Sequence, residues 1–341
     1  MIDFRYHIVS IVSIFLALAV GILLGAGPLQ EDLGKTLSSQ VETLRQEKTD
    51  LRTELDAARK QLDAGNEFAT DVTAALVGSR LGGRSIALLT LPGADKDVVT
   101  ALTDVLTASG ATVNGPVAIS PAWTDPATSS AREELATSLR ADVGADATAA
   151  PTTGAAGTPG STATSSDANL DERLGALLAQ ALVVSRLTVA GPATPAAAQT
   201  LAGLKKGDLV SFDGNGLPVS TLAVLVAPSP DAEQPTDRGA AEVSSWRALA
   251  SALDAASSGS AVVADTKAGS TNSAASGGLL AAIRGDDALA KLISTVDHAG
   301  TQVGRIATVY ALREQLAGGA GQYGVGPGAS AVVPRLTAGG S

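Results

Sequence analysis

Four patterns of apolar and polar positions follow one another along the chain. From Ile8 to Ala26 the sequence runs 19 residues without a charge, broken only by Ser10 and Ser13 among polar side chains. A helix of that length crosses a hydrocarbon core of roughly 30 Å, so residues 1–27 read as a transmembrane anchor. The apolar run is long for a secretory signal, and Pro28 directly after Gly25-Ala26-Gly27 disfavours cleavage there. Arg5 precedes the run, whereas Glu31 and Asp32 follow it, which predicts a cytoplasmic N-terminus and an exported remainder.

Across residues 28–65 the period changes to seven. Leu37, Leu44, Leu51 and Ala58 fall at heptad position d, and Val41, Lys48, Leu55 and Leu62 at position a. In this frame Glu47 and Glu54 occupy g, and Arg52 and Arg59 the following e, the pairing expected between two parallel chains. Lys48 is tolerated better at the edge of a two-stranded seam than inside a larger bundle. The pattern predicts a coiled coil forming a parallel homodimer through Leu37, Val41, Leu44, Leu51, Leu55 and Leu62. The competing reading is an amphipathic helix lying on its own globular domain. Gly65-Asn66 supplies a stop signal.

From residue 80 to 317 short apolar runs alternate with helical stretches. Arg84–Leu91 reads as a strand, Asp95–Ser109 as a helix with Val98, Leu102, Val105 and Leu106 on one face, and Ala111–Ile119 as a second strand broken by Asn114-Gly115-Pro116. Further strands are predicted at 209–212, 221–226 and 260–264. Helices are predicted at 170–185, 196–204, 242–256 and, as a closing element, 303–316. Such alternation predicts an α/β domain with a doubly wound, mostly parallel sheet. Residues 142–168 are almost entirely Ala, Thr, Gly, Ser and Pro and are expected to be a disordered insertion. Residues 318–341 are expected to be a glycine-rich flexible tail.

Composition narrows the chemistry. The 341 residues carry a net charge of -10 and no cluster of Lys and Arg, which argues against a nucleic-acid partner. Cysteine is absent and Met1 is the single methionine, so disulfides, thiol catalysis and soft sulfur ligands are all excluded. Gly319, Gly321 and Gly324 have GxGxxG spacing but follow a helix instead of a strand, outside the context of a dinucleotide site. No GxxxxGK[ST] or GxSxG motif occurs, and a triad would depend on His298, which reads as part of a surface turn with the adjacent Asp297 facing elsewhere. Asp286-Asp287 and Asp95-x-Asp97 read as helix-start charges rather than cation ligands. No catalytic residue, metal ligand or cofactor site is assigned, and the chain reads as a non-enzyme.

Both ends of the sequence carry a resemblance. The N-terminal MIDFRYHIVSIVSIFLALAVGILLG with its following heptads, and the C-terminal ISTVDHAGTQVGRIATVYALREQLAGGAGQYGVGPGA, resemble the MctB-type copper transport protein family of actinobacteria. The second stretch is similar to that family's STVD, GRI, ALxxxL and GQYGxGxGA pattern. The resemblance implies a membrane protein of the cell envelope with a role in copper transport or copper homeostasis. It also admits a place in the outer membrane and partners among envelope proteins. Copper enters by this resemblance alone, because copper(I) seeks thiolate or thioether and copper(II) imidazole, and the exported part offers a single His and no sulfur. The alternative is a dimeric structural or scaffolding protein of the envelope without direct metal transport.

Overall fold

The first helix is α1 (Phe4–Gly25), and its Phe4–Leu23 segment is exposed and is long and apolar enough to cross a membrane. In the computed structural model, residues 4–25, 29–143, 165–184, 191–214, 216–228, 236–265 and 278–335 are described. The chain separates into two units, residues 1–65 and 66–341.

The second helix, α2, runs from Leu29 to Val77, so the expected stop at Gly65-Asn66 does not occur. A glycine inside a helix costs only about 1 kcal/mol. The turns beyond it bury Ala69, Thr73 and Val77 in the second unit, which offsets that cost. The helix ends instead at Gly78 and Ser79, the latter at φ 60.

The second unit follows the order β1 (Ser85–Thr90), α3 (Lys96–Ala108), β2 (Thr112–Ile119), α4 (Ser129–Val143), α5 (Ser165–Leu182), α6 (Pro195–Lys206), β3 (Val210–Ser211), β4 (Leu222–Val226), α7 (Thr236–Ala256), β5 (Ser260–Val263), α8 (Leu279–Arg284), β6 (Ser294–Val296), α9 (Gln302–Leu316) and β7 (Gln322–Tyr323). The seven strands form one sheet in the order β3-β2-β1-β4-β5-β6-β7, parallel throughout except at the β2–β3 edge. The mixed α/β class and the mostly parallel sheet are therefore as the periodicity predicts. Strand β2 is continuous through the predicted break, with a cis Gly115–Pro116 bond and a register shift opposite β1.

Both faces of the sheet are covered. Ile86 and Leu88 of β1 pack with Val98, Leu102 and Leu106 of α3, with Ile306 and Leu312 of α9, and with Val77 of α2. The intervening Ala87 and Leu89 pack against Leu174, Leu178, Leu201 and Leu249 from α5, α6 and α7. Burial on both faces is what turns these strands into unbroken apolar runs.

Residues 144–164, most of the expected disordered insertion, lie outside the described residues. Its flanks, 142–143 and 165–168, are helical. The expectation of a flexible tail needs correction. Residues 318–335 carry β7 and fold back along it: Gly324 N–H donates to Ala331 O, and Ser330 N–H to Gln322 O. The glycines are there to let the backbone approach buried side chains closely, a need that composition does not distinguish from flexibility. Residues 336–341 lie outside the described residues.

Candidate functional site

Because β1, β4, β5, β6 and β7 are parallel, their carboxyl ends share one edge of the sheet, where open α/β sheets place their ligands. Asp265 follows β5 there, Asp297 and His298 follow β6, and Gly324–Gly326 follow β7.

Asp297 is the centre of this edge. Its Oδ2 accepts from Arg284 Nη1 at 2.7 Å and from Gly326 N–H at 2.8 Å, and its Oδ1 accepts from Val325 N–H at 2.9 Å. The side chains of Arg284 and Asp297 are 4% and 2% exposed. Burial alone pushes the Asp297 carboxyl up. The neighbouring His298 imidazole, the Arg284 guanidinium and the Val325 amide outweigh that and hold it well below the usual carboxylate range. Arg284 spends its other donors on Thr295 Oγ1 (2.8 Å), Tyr323 O (2.7 Å) and Pro327 O (3.1 Å).

The glycine spacing of the tail now has a geometric reason. At Gly324, φ is +136, and a Cβ would fall on the Asp297 carboxylate. At Gly328, φ is +74, and a Cβ would press on the Arg284 side chain. GQYGVGPG is thus a backbone cradle around a buried ion pair. The three glycines in GxGxxG spacing lie against side chains of the same chain: Gly319 against Glu314, Gly321 against Tyr323 and Gly324 against Asp297.

His298 is not in a surface turn. It is 6% exposed, and neither ring nitrogen has a hydrogen-bond partner. Its Nδ1 lies 3.5 Å from Asp297 Oδ1, so the two neighbours do approach each other. The strand ends at Val296, and strict alternation of side chains ends with it. Asp265 forms an isolated bridge with His298 and accepts from Gly300 N–H at 3.2 Å. Arg305 of α9 donates to Gly300 O (2.9 Å) and to Gln302 Oε1 (2.9 Å from Nη2), and Gln302 donates in turn to Thr73 Oγ1 of α2 at 2.6 Å. One hydrogen-bonded chain therefore links the carboxyl edge of the sheet to the last turns of α2.

This arrangement holds parts of the protein together. Among the described residues, no group of three or more His, Asp or Glu side chains converges in a way that could hold an ion. The two acidic doublets act locally: Asp95 accepts from Asp97 N–H at 2.8 Å as the N-cap of α3, and Asp286 accepts from Ala288 N–H at 3.0 Å while pairing with Arg247 at 2.7 Å. Sequence reasoning missed Arg284, Asp265 and Arg305. The tail glycines were the available signal, since closely spaced glycines after a helix also mark close backbone approach.

The six predicted pairing residues, Leu37, Val41, Leu44, Leu51, Leu55 and Leu62, line one stripe of α2 and are 45–65% exposed. They lie in the other unit.

The family model described as "Copper transport outer membrane protein, MctB" matches residues 1–334. Copper transporter MctB of Mycobacterium bovis and that of Mycobacterium tuberculosis are each 30% identical to this chain over 338 residues, covering 97% of it and 99% of the relative. Copper transporter MctB of Mycobacterium leprae is 29% identical over 356 residues, covering 98% and 100%. The match spans α1, α2 and the whole described sheet, including the Asp297 cradle, and on that extent the chain belongs to the MctB family of copper transport outer membrane proteins.

Proposed function

We propose that this protein serves copper transport in the bacterial envelope as a single-pass membrane protein. In this reading Phe4–Gly25 is the anchor, the N-terminus is cytoplasmic, and the sheet domain stands outside the cytoplasm on the α2 stalk, paired with a second copy through Leu37 to Leu62. The observation that carries the copper role is the family match over residues 1–334. The anchor rests on the uncharged apolar run and the charges flanking it. Reading the sheet as doubly wound rests on its strand order and on the apolar clusters of both faces.

The chain's own donors bear on how that role is performed. Copper(I) favours sulfur, and the sequence holds Met1 and no cysteine. Copper(II) favours imidazole, and the sequence holds His7 and a buried His298. This scarcity favours a second reading, in which the protein organises envelope partners that move the ion and has no enzymatic activity of its own.

One pair of measurements tests both. Cell copper content and copper tolerance are compared in a deletion strain, the complemented strain and a strain complemented with His298→Ala, while the purified full chain is titrated with copper(I) and copper(II). An unchanged copper content on deletion sinks the copper role. A changed content without binding selects the organising reading, and tight binding by the purified chain selects direct handling.

A further inference from the structure

We infer that α2 pairs with a second copy of this chain in parallel and in register, and that the pairing is bounded by Leu37 and Leu62. The inference deepens the anchored-stalk reading above and rests on it. A helix whose apolar stripe stays 45–65% exposed over four heptads leaves that area in water unless something covers it.

Charge identifies the occupant. Glu42 pairs with Arg45 and Asp56 with Arg59 along the helix, and Gln46 donates to Asp50, whereas Glu47, Arg52 and Glu54 make no ion pair within the described chain. Those three flank the stripe at g and e, where a parallel in-register copy brings Glu47 to the partner's Arg52 and Glu54 to the partner's Arg59. An antiparallel partner instead sets g against g and e against e, which opposes like charges. The anchor works in the same sense, because two copies inserted with the same orientation leave the bilayer side by side and pointing the same way.

The lower limit comes from the second unit. After Leu62 the next d position is Gly65, and the next a position, Ala69, is buried with Thr73 and Val77 against the sheet domain. Gln302 and Tyr310 hold that segment through Thr73 Oγ1 and Leu76 O. A partner helix therefore has no seam to follow past Leu62. The remaining seam spans about 40 Å.

The absence of native cysteine makes the test direct. Leu44→Cys, Leu51→Cys and Gln46→Cys are introduced singly into the full chain and oxidised in native membranes. Covalent dimers are expected at 44 and 51 in several-fold excess over 46, which lies on the opposite face. Differently tagged chains carrying Leu37→Cys or Leu62→Cys, expressed together, are expected to cross-link only like with like. Equal trapping at all three positions, trapping at none, or a mixed 37–62 product overturns the proposal. Leu51→Asp with Leu55→Asp is expected to abolish trapping at Leu44→Cys while circular dichroism retains the sheet signal. Trapping that survives this change also overturns it. Monomers in the membrane fraction defeat the pairing alone, whereas cross-linked dimers in the soluble fraction defeat the anchor and leave the pairing standing.

Discussion

Arg284 and Asp297 meet at 2.7 Å inside the protein, and through them the last strand is fastened to the sheet: Arg284 also donates to Tyr323 O of β7, and Asp297 also accepts the amides of Val325 and Gly326 just beyond it. Removing one member of a buried pair leaves the other as an uncompensated charge. Asp297→Asn is therefore expected to cost about 3–5 kcal/mol, read from urea unfolding of the detergent-solubilised chain. Adding Arg284→Met to it should restore part of the loss, so that the double variant costs less than the sum of the single ones.

The same carboxylate sets an acid limit. Its native affinity for protons lies well below that of an ordinary Asp at 3.8, so the unfolded chain binds the proton first as pH falls. The stabilisation is fully present above about pH 4 and is lost progressively below it. Thermal scans from pH 6 down to pH 3 should show a steeper loss of stability in the wild type than in Asp297→Asn.

Asp254 behaves in the opposite sense. Burial pushes its carboxyl up to about 6, against the opposing effect of a 2.9 Å hydrogen bond from Ser260. Between about pH 4 and pH 6 the native state holds a proton that the unfolded chain has released, so stability falls as pH rises through that window and stays lower above it. A shift of this size corresponds to roughly 3 kcal/mol. Asp254→Asn, uncharged and still able to accept from Ser260, should raise the melting temperature at pH 7.5 and leave it unchanged at pH 3.5.

Two glycines of the tail separate conformational cost from collision. Gly318 has φ +87 and open space around it, so Gly318→Ala should cost about 1–2 kcal/mol. Gly324 has φ +136 and the Asp297 carboxylate where a Cβ would stand, so Gly324→Ala should cost distinctly more and release β7. Hydrogen exchange at Gln322 to Gly326 reads the difference.

Gln302 carries the bond from α9 to α2, donating to Thr73 Oγ1 while accepting from Arg305. Gln302→Leu removes the acceptor of Arg305 Nε and Nη2 and the donor to the buried Thr73 Oγ1, at a cost of about 1–3 kcal/mol. Amide exchange over residues 66–77 should accelerate, with the α3 amides unaffected.

The strands at 85–90, 222–226 and 260–263 were legible because burial on both faces leaves unbroken apolar runs, and α3 because Val98, Leu102, Val105 and Leu106 recur at helical spacing. β6 and β7 were not, since Ser294-Thr295-Val296 and Gln322-Tyr323 form no apolar run, and each is a strand only through the neighbour it pairs with. The Asp297 site was hidden for a related reason. Its members come from α8, β6 and the tail, and sequence spacing carries no record of which buried charge a glycine must accommodate.

Local periodicity determined by itself the apolar N-terminal helix, the heptad stripe of α2 and the alternation that makes an α/β sheet, because each depends on residues a few positions apart. Tertiary structure alone decided that α2 passes through Gly65, that His298 is buried and that the glycine-rich tail is a docked strand. Those outcomes depend on free energy gained against distant partners, which outweighs the local preference of glycine to end a helix or of a polar residue to face water.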